Sequence, residues 1–199
     1  RSLYQAELSR QWFALPSEFI KSLCALDSLK VSISGVRGIF GQDLNLNDVI
    51  KFCQNFSVLV KSKKCVVGHD TRPSSNILSE TAIASLMERG IDVYNLGIAP
   101  TPVVFRESRE YGAGLIITSS HNPLQWNGLK FIVEGRGINE SELEQITKEN
   151  KFSKEKIGSE SQINSNYISD ATKLIGNVDG SPKVAVDVGG GAAFDVAPK

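Results

Sequence analysis

Thr118-Ser119-Ser120-His121-Asn122-Pro123 places a hydroxyl beside an imidazole at the end of the apolar run Leu115-Ile116-Ile117, and Lys130 follows Asn127-Gly128-Leu129. Proline fixes its own φ and biases the residue before it away from the helical region, so Asn122-Pro123 enforces a turn. A serine held at a strand end, near a proton carrier and a cation, is how a phosphoryl-carrying nucleophile would be built. The same residue types also make an ordinary solvated turn. Two further loops bring polar groups after apolar runs. In Ser34-Gly35-Val36-Arg37-Gly38 the glycines let backbone N–H groups approach an anion, and Arg37 offers a bidentate fork for phosphate. Asp70-Thr71-Arg72-Pro73-Ser74-Ser75 has a plainer reading, in which Asp70 pairs with Arg72 and a serine caps the next helix.

The elements around these loops alternate. Val31–Ile33, Cys65–Val67, Ile91–Tyr94, Leu115–Thr118 and Leu129–Val133 read as strands, with Lys130 near the start of the last. Helical spacing follows Leu46-Asn47-Asp48 (Val49, Ile50, Phe52, Cys53, Phe56, Leu59, Val60) and Ser74-Ser75 (Ile77, Leu78, Ala82, Ile83, Leu86, ending at Gly90). Thr101-Pro102 opens a helix that ends near Gly112, and Asn139 with Glu142 forms a capping box for a polar helix to about Asn150. This alternation predicts an α/β layer architecture with ligands at the strand ends.

Residues 1–29 form an N-terminal extension with a short amphipathic helix after Pro16, and its role is not readable. Residues 30–150 make the main domain, and 151–165, rich in Ser, Lys, Glu and Gly, read as a linker. Residues 166–199 then supply a helix through Tyr167–Ile175, a strand Val184–Val188 and the turn Gly189-Gly190-Gly191, the opening of a second α/β domain. The only methionine is Met87, and the last residues fall inside what reads as a βα unit, so the chain is expected to be a fragment.

With 22 basic and 22 acidic residues among 199, nothing pushes the chain globally toward nucleic acid or membrane, although a local basic pocket remains open to a phosphorylated ligand. No apolar run approaches the length needed to span a bilayer. Cys24, Cys53 and Cys65 are scattered without metal-ligand spacing and read as reduced thiols of a cytoplasmic protein. A G-x-S-x-G elbow is absent around Ser120. The dinucleotide fingerprint also fails at Gly189-Gly190-Gly191, where its third glycine is Phe194.

Taken together, the loops resemble those of the α-D-phosphohexomutase superfamily, which includes phosphoglucomutase/phosphomannomutase and phosphoglucosamine mutase. Ser34–Gly38 is similar to its S-G-[IV]-R-G loop, Gly68–Ser75 to G-x-D-T-R-x-S, and Thr101-Pro102 to its T-P helix start. Thr118–Pro123 is similar to T-[AS]-S-H-N-P, Asn127–Lys130 to N-G-x-K, and Val186–Ala192 to the first strand and turn of its second domain. The resemblance implies a three-layer α-β-α domain with a mixed sheet, followed by the start of a second, similar domain. It implies a hexose-phosphate mutase that moves a phosphoryl group between C1 and C6 through phosphoserine at Ser120 and a bisphosphate intermediate. His121, Lys130 and Arg37 match positions that assist proton transfer or stabilise charge. The implied cofactors are Mg²⁺, held by the Ser120 phosphate and by aspartates of a D-G-D-x-D-R loop, and a hexose 1,6-bisphosphate activator. The implied partner is a small hexose phosphate, with no nucleic acid or membrane.

The departures are specific. D-G-D-x-D-R is missing, as are the family's sugar-recognition loop and its R-x-S-G-T phosphate loop, so the 199 residues alone are expected to be inactive. Ser119 stands where alanine is commoner and Trp126 where tyrosine or phenylalanine is. Asn127–Phe131 leans toward phosphoglucosamine mutase. The alternative expectation is a non-catalytic sugar-phosphate-binding domain that lacks the metal loop.

Overall fold

Short β-branched runs punctuated by glycine become strands of one mixed sheet, and the amphipathic segments between them become the helices that cover it. A computed structural model describes residues 29–177, 180 and 183–197. Along these residues run β1 (Lys30–Ser32), β2 (Gly35–Ile39), α1 (Leu46–Phe56), β3 (Lys64–His69), α2 (Ser75–Glu88), β4 (Asp92–Ile98) and α3 (Thr101–Tyr111). They continue with β5 (Ala113–Ile117), β6 (Trp126–Val133), β7 (Arg136–Gly137), α4 (Glu140–Thr147), β8 (Glu160–Gln162) and α5 (Tyr167–Ile175). The strand order is β1-β2-β6-β5-β3-β4-β8, with β7 also on β6. Neighbours from β5 through β3 and β4 to β8 are parallel, whereas β1, β2, β6 and β5 pair antiparallel. The expected mixed sheet is present.

Alternation along each strand sorts the two faces. On one face Val36, Cys65, Val67, Leu115, Ile117, Leu129 and Phe131 pack beneath α1, α2 and α4, with Phe56 and Phe131 ring centroids 5.0 Å apart. On the other, Val66, Ile116 and Ile132 pack beneath Val103 and Val104 of α3. Each fully buried Leu, Ile or Phe contributes about 1.5–3 kcal/mol relative to exposure. Cys53 and Cys65 are free thiols within the first core, and burial pushes both thiol pKa values up.

Local signals fix the ends of several helices. The Asn139 side chain accepts from Glu142 N–H while the Glu142 carboxylate accepts from Asn139 N–H, as the capping box predicts. Gly112 ends α3 in the left-handed region (φ 88°), where a Cβ would stand 2.6 Å from Ser62 Oγ.

Several expectations are revised. Ser34–Gly38 is not a loop: from Gly35 on it is strand β2, paired on both sides, so its N–H groups do not form a phosphate cradle. Lys130 lies in the middle of β6 rather than near its start. Residues 151–165, expected as a linker, run along the domain: Arg89 Nη1 donates to Ser153 O at 2.9 Å, Gly158 N–H to Met87 O at 2.8 Å, and β8 pairs with β4. Helix α5 packs on α3 through an Arg106–Asp170 ion pair. Val184–Val188 joins no ladder, because a strand needs a neighbour and the described residues offer it none. The helix expected after Pro16, and Cys24, lie outside the described residues.

Candidate active site

Strand β5 delivers the serine. Its last residue, Ile117, accepts from Asp70 N–H at 3.0 Å, and Thr118 N–H donates to Gly128 O at 3.0 Å, so the loop leaves the sheet between β3 and β6. Ser119 is buried, and its hydroxyl accepts from Asn122 Nδ2 at 2.9 Å. Ser120 is exposed at the tip with φ 57°, a left-handed conformation that L-residues adopt rarely and at a cost. Such strain is concentrated at functional sites, where the surroundings over-determine it. Ser120 Oγ lies 3.4 Å from His121 Nδ1.

The surroundings here are the Asp70–Ser75 loop. Asp70 forms an ion pair with Arg72 Nε at 3.0 Å and accepts from Thr118 Oγ1 at 2.7 Å. Thr118 Oγ1 in turn accepts from Ser120 N–H at 3.1 Å, so a chain of polar contacts runs from Arg72 to the serine's own backbone. Arg72 Nη1 and Nη2 donate to main-chain carbonyls of the serine loop and of Trp126. The local Asp70–Arg72 pair was legible in the sequence, but this second role was missed; the D-T-R spacing carried the signal. Neither Ser74 nor Ser75 caps α2 through its side chain, because Asn127 Nδ2 donates to both hydroxyls at 2.8 and 3.0 Å and the Ser75 hydroxyl donates to Asp70.

Ser120 lines a cleft of about 380 Å³ together with Asp70, Arg72, Thr101, Ile116, Thr118 and the Gly189–Ala193 turn. Thr71 Oγ1 donates to Gly190 O at 2.9 Å, which brings that turn to the mouth of the cleft. The expected cations are placed by register. Arg37 stands opposite Gly128 on one side and Lys30 on the other, and Lys130 stands opposite Ile116. Directly opposed residues share a face, so Lys30, Arg37 and Lys130 all project on the α3 side of the sheet. Lys30 Nζ sits 4.8 Å from the Trp126 ring centroid and Lys130 Nζ 5.3 Å from that of Phe105. None of the three has an ion-pair partner among the described residues, and such a face favours an anionic ligand. Ser120 and His121 are thus brought side by side, whereas neither Arg37 nor Lys130 hydrogen-bonds to Ser120.

A divalent cation finds no ready donor set here. Among the described residues no three His, Cys, Asp or Glu groups cluster, and both oxygens of Asp70 are taken by Arg72, Thr118 and Ser75. No helix of the described residues is long and apolar enough to cross a membrane.

This geometry can be set beside known proteins. The chain is 34% identical over 177 residues to a probable phosphoglucosamine mutase of Pyrococcus abyssi, covering 83% of this chain and 39% of that protein. It is 34% identical over 184 residues to a phosphoglucosamine mutase of Finegoldia magna, covering 82% and 40%. The chain therefore spans about two fifths of the length of these relatives. A putative phosphomannomutase from Thermus thermophilus shares the fold at a TM-score of 0.64 and 23% identity, over 74% of this chain and 36% of that one. A phosphoglucomutase/phosphomannomutase family protein from Burkholderia thailandensis does so at 0.62 and 24%, over 73% and 36%. The family model described as phosphoglucomutase/phosphomannomutase, alpha/beta/alpha domain I, matches residues 29–157, a span that holds Arg37, the Asp70 loop, Ser120 and Lys130 together. By that match the chain belongs to the phosphoglucomutase/phosphomannomutase family.

Proposed function

We propose that this chain carries the phosphoserine domain of a hexose-phosphate mutase, an isomerase that works by intramolecular phosphoryl transfer, with Ser120 as the carrier. The observation that carries the reading is Ser120 itself, held at φ 57° on the tip of a braced loop with its Oγ beside His121 and on the wall of a cleft. Phosphoryl transfer asks chiefly for positioning and for fixed positive charge, and both are features of this face of the sheet.

In the first transfer the P–Oγ bond of phosphoserine breaks as a sugar hydroxyl oxygen bonds to phosphorus. The hydroxyl gives up its proton to a base, and Ser120 Oγ leaves as an alkoxide that takes a proton back. His121 Nδ1, 3.4 Å from Oγ, is the proton carrier within reach. The hexose 1,6-bisphosphate turns over in the site, and its other phosphoryl group returns to Ser120 by the same bond exchange in reverse. Arg37 and Lys130 offset the charge on the phosphoryl oxygens, the arginine as a planar fork and the lysine as a compact charge.

Glucosamine phosphate is the proposed substrate, supported by the names of the relatives and by the Asn127–Phe131 stretch. Mg²⁺ belongs to the proposal as the metal of this family, with the Ser120 phosphate as the one ligand this chain supplies. The 199 residues by themselves are proposed to lack turnover, and a cytoplasmic setting is proposed with them. In the complete gene product, Ser120→Ala is expected to cut turnover of hexose phosphates by at least ~10³-fold. Turnover retained in that variant would sink the assignment. A non-catalytic sugar-phosphate-binding domain is the second reading, favoured by the lack of a metal donor set among the described residues. It requires magnesium-independent binding of hexose phosphate and no phosphate on Ser120, so mass spectrometry of the Ser120 peptide separates the two.

A further inference from the structure

Three carbonyl oxygens of the serine loop and that of Trp126, the first residue of β6, converge on one guanidinium. Arg72 Nη2 donates to Ser120 O at 2.8 Å and Asn122 O at 2.7 Å, and Nη1 donates to Pro123 O at 2.6 Å and Trp126 O at 3.1 Å. With Nε on Asp70, all five N–H groups of the side chain are spent inside the protein, and Arg72 is only 9% exposed.

A trans peptide points its C=O and N–H in opposite directions, and the described chain has no cis bonds. The Ser120 carbonyl, turned in onto Arg72, therefore turns the N–H of His121 out. The Pro123 carbonyl does the same for the N–H of Leu124. Neither N–H has a hydrogen-bond partner among the described residues, and Leu124 lines the same cleft as Ser120.

We infer that Arg72 is a positioning residue for phosphoryl transfer: it gathers the loop's carbonyl dipoles beneath the chain and so presents the main-chain N–H groups of His121 and Leu124 to the phosphoryl oxygens on Ser120. The inference rests on the phosphoserine reading. A phosphate dianion is repelled by carbonyl oxygens and held by fixed N–H donors, which need no reorganisation when charge moves. Without the guanidinium, the peptide after Ser120 is free to flip. That flip turns ψ of Ser120 and φ of His121 and swings a carbonyl into the place of the phosphate. Lysine is a poor substitute, because three N–H groups on one nitrogen cannot fan out to four carbonyls and a carboxylate.

The test uses Arg72→Lys and Arg72→Gln in the complete gene product, beside Ser120→Ala, reading kcat, KM and the thermal midpoint. Arg72→Lys is expected to lose roughly 10²-fold in kcat, the scale of a small misplacement of reacting groups, with KM within a few-fold and the midpoint kept. Solution NMR of the chain supplies a readout free of turnover. The sequential Hα–HN NOE from Ser120 to His121 reports ψ of Ser120 and so the orientation of that peptide, which both variants are expected to change while the core amides stay in place. Wild-type kcat in either folded variant, or an unchanged Ser120–His121 NOE in both, overturns the role. So does simple unfolding of both variants, which makes Arg72 a fold determinant instead. Should Ser120→Ala turn over normally, the phosphoserine reading fails, and the NMR comparison still decides whether Arg72 sets the loop.

Discussion

Gly128 faces Arg37 across the β2–β6 ladder, and the stem of the arginine fills the space that a side chain at Gly128 would need. A Cβ there would stand 2.9 Å from Arg37 Cγ and 2.2 Å from Val36 O. The backbone oxygen cannot give way without parting the strands. Gly128→Ala is therefore expected to cost about 1–3 kcal/mol, the range for overpacking, and to displace Arg37 from its face. Chemical denaturation measures the first effect, and weakened binding of the proposed hexose-phosphate substrate the second. An unchanged denaturation midpoint would contradict the close approach.

Asp70 neutralises Arg72 where the two side chains are 16% and 7% exposed. Removing one member of a buried pair strands the other charge, a loss on the order of 3–5 kcal/mol. Asp70→Ala is expected to lower stability by about that much, and clearly more than Thr118→Val, which removes one hydrogen bond to the same carboxylate. Parallel denaturation curves of the two variants give the ranking.

At Ser120 stability and function are expected to part. Glycine accepts a positive φ freely, while alanine keeps the steric cost of about 1 kcal/mol. Ser120→Gly is expected to be the more stable of the two variants by about that amount, although neither carries phosphate. Equal midpoints would mean that the serine tip is not strained.

The Glu142 carboxylate receives Arg136 Nη1 and Nη2 at 2.8 and 2.7 Å, and Asn139 N–H at 2.8 Å. The Arg136 guanidinium, foremost, holds its pKa below the ordinary 4.5. A depressed carboxylate contributes stability that is full above its unfolded value and is lost as pH falls from there through the lower folded value. Because Arg136 is half exposed, the contribution is expected to stay below ~1 kcal/mol. Glu142→Gln should lower stability by up to that amount above pH ~4.5 and flatten the acid limb below it, the two curves converging at low pH. Urea titrations across that window read the difference.

What could be read from the sequence was local. The Asn139–Glu142 box, the Gly112 stop and the apolar runs of β3 and β5 declare themselves within a few residues, and each became the element expected. Arg37 was misplaced because two glycines in five residues look like a loop, whereas β1 and β6 flank that stretch and make it a strand. The four carbonyl acceptors of Arg72 lie 48 to 54 residues downstream, a separation no spacing rule reaches. Ser74 or Ser75 is the cap the sequence suggests, but Asn127, distant in sequence, competes for both hydroxyls. Strand β8 is three polar residues, Glu160-Ser161-Gln162, and becomes a strand only because the flank of β4 is open to it.

That short polar strand also covers part of the outer flank of β4 and becomes the edge there. The outer flank of β4 is a row of backbone donors and acceptors, and an uncovered row of that kind is a template for another chain. Every other strand of the sheet precedes Glu160, so a growing polypeptide lays down the rest of the sheet with the β4 flank still uncovered. Polar letters that carry no chemistry thus act as a hem. A product ending ahead of them would hold the serine loop intact and yet be prone to stitch itself to its neighbours.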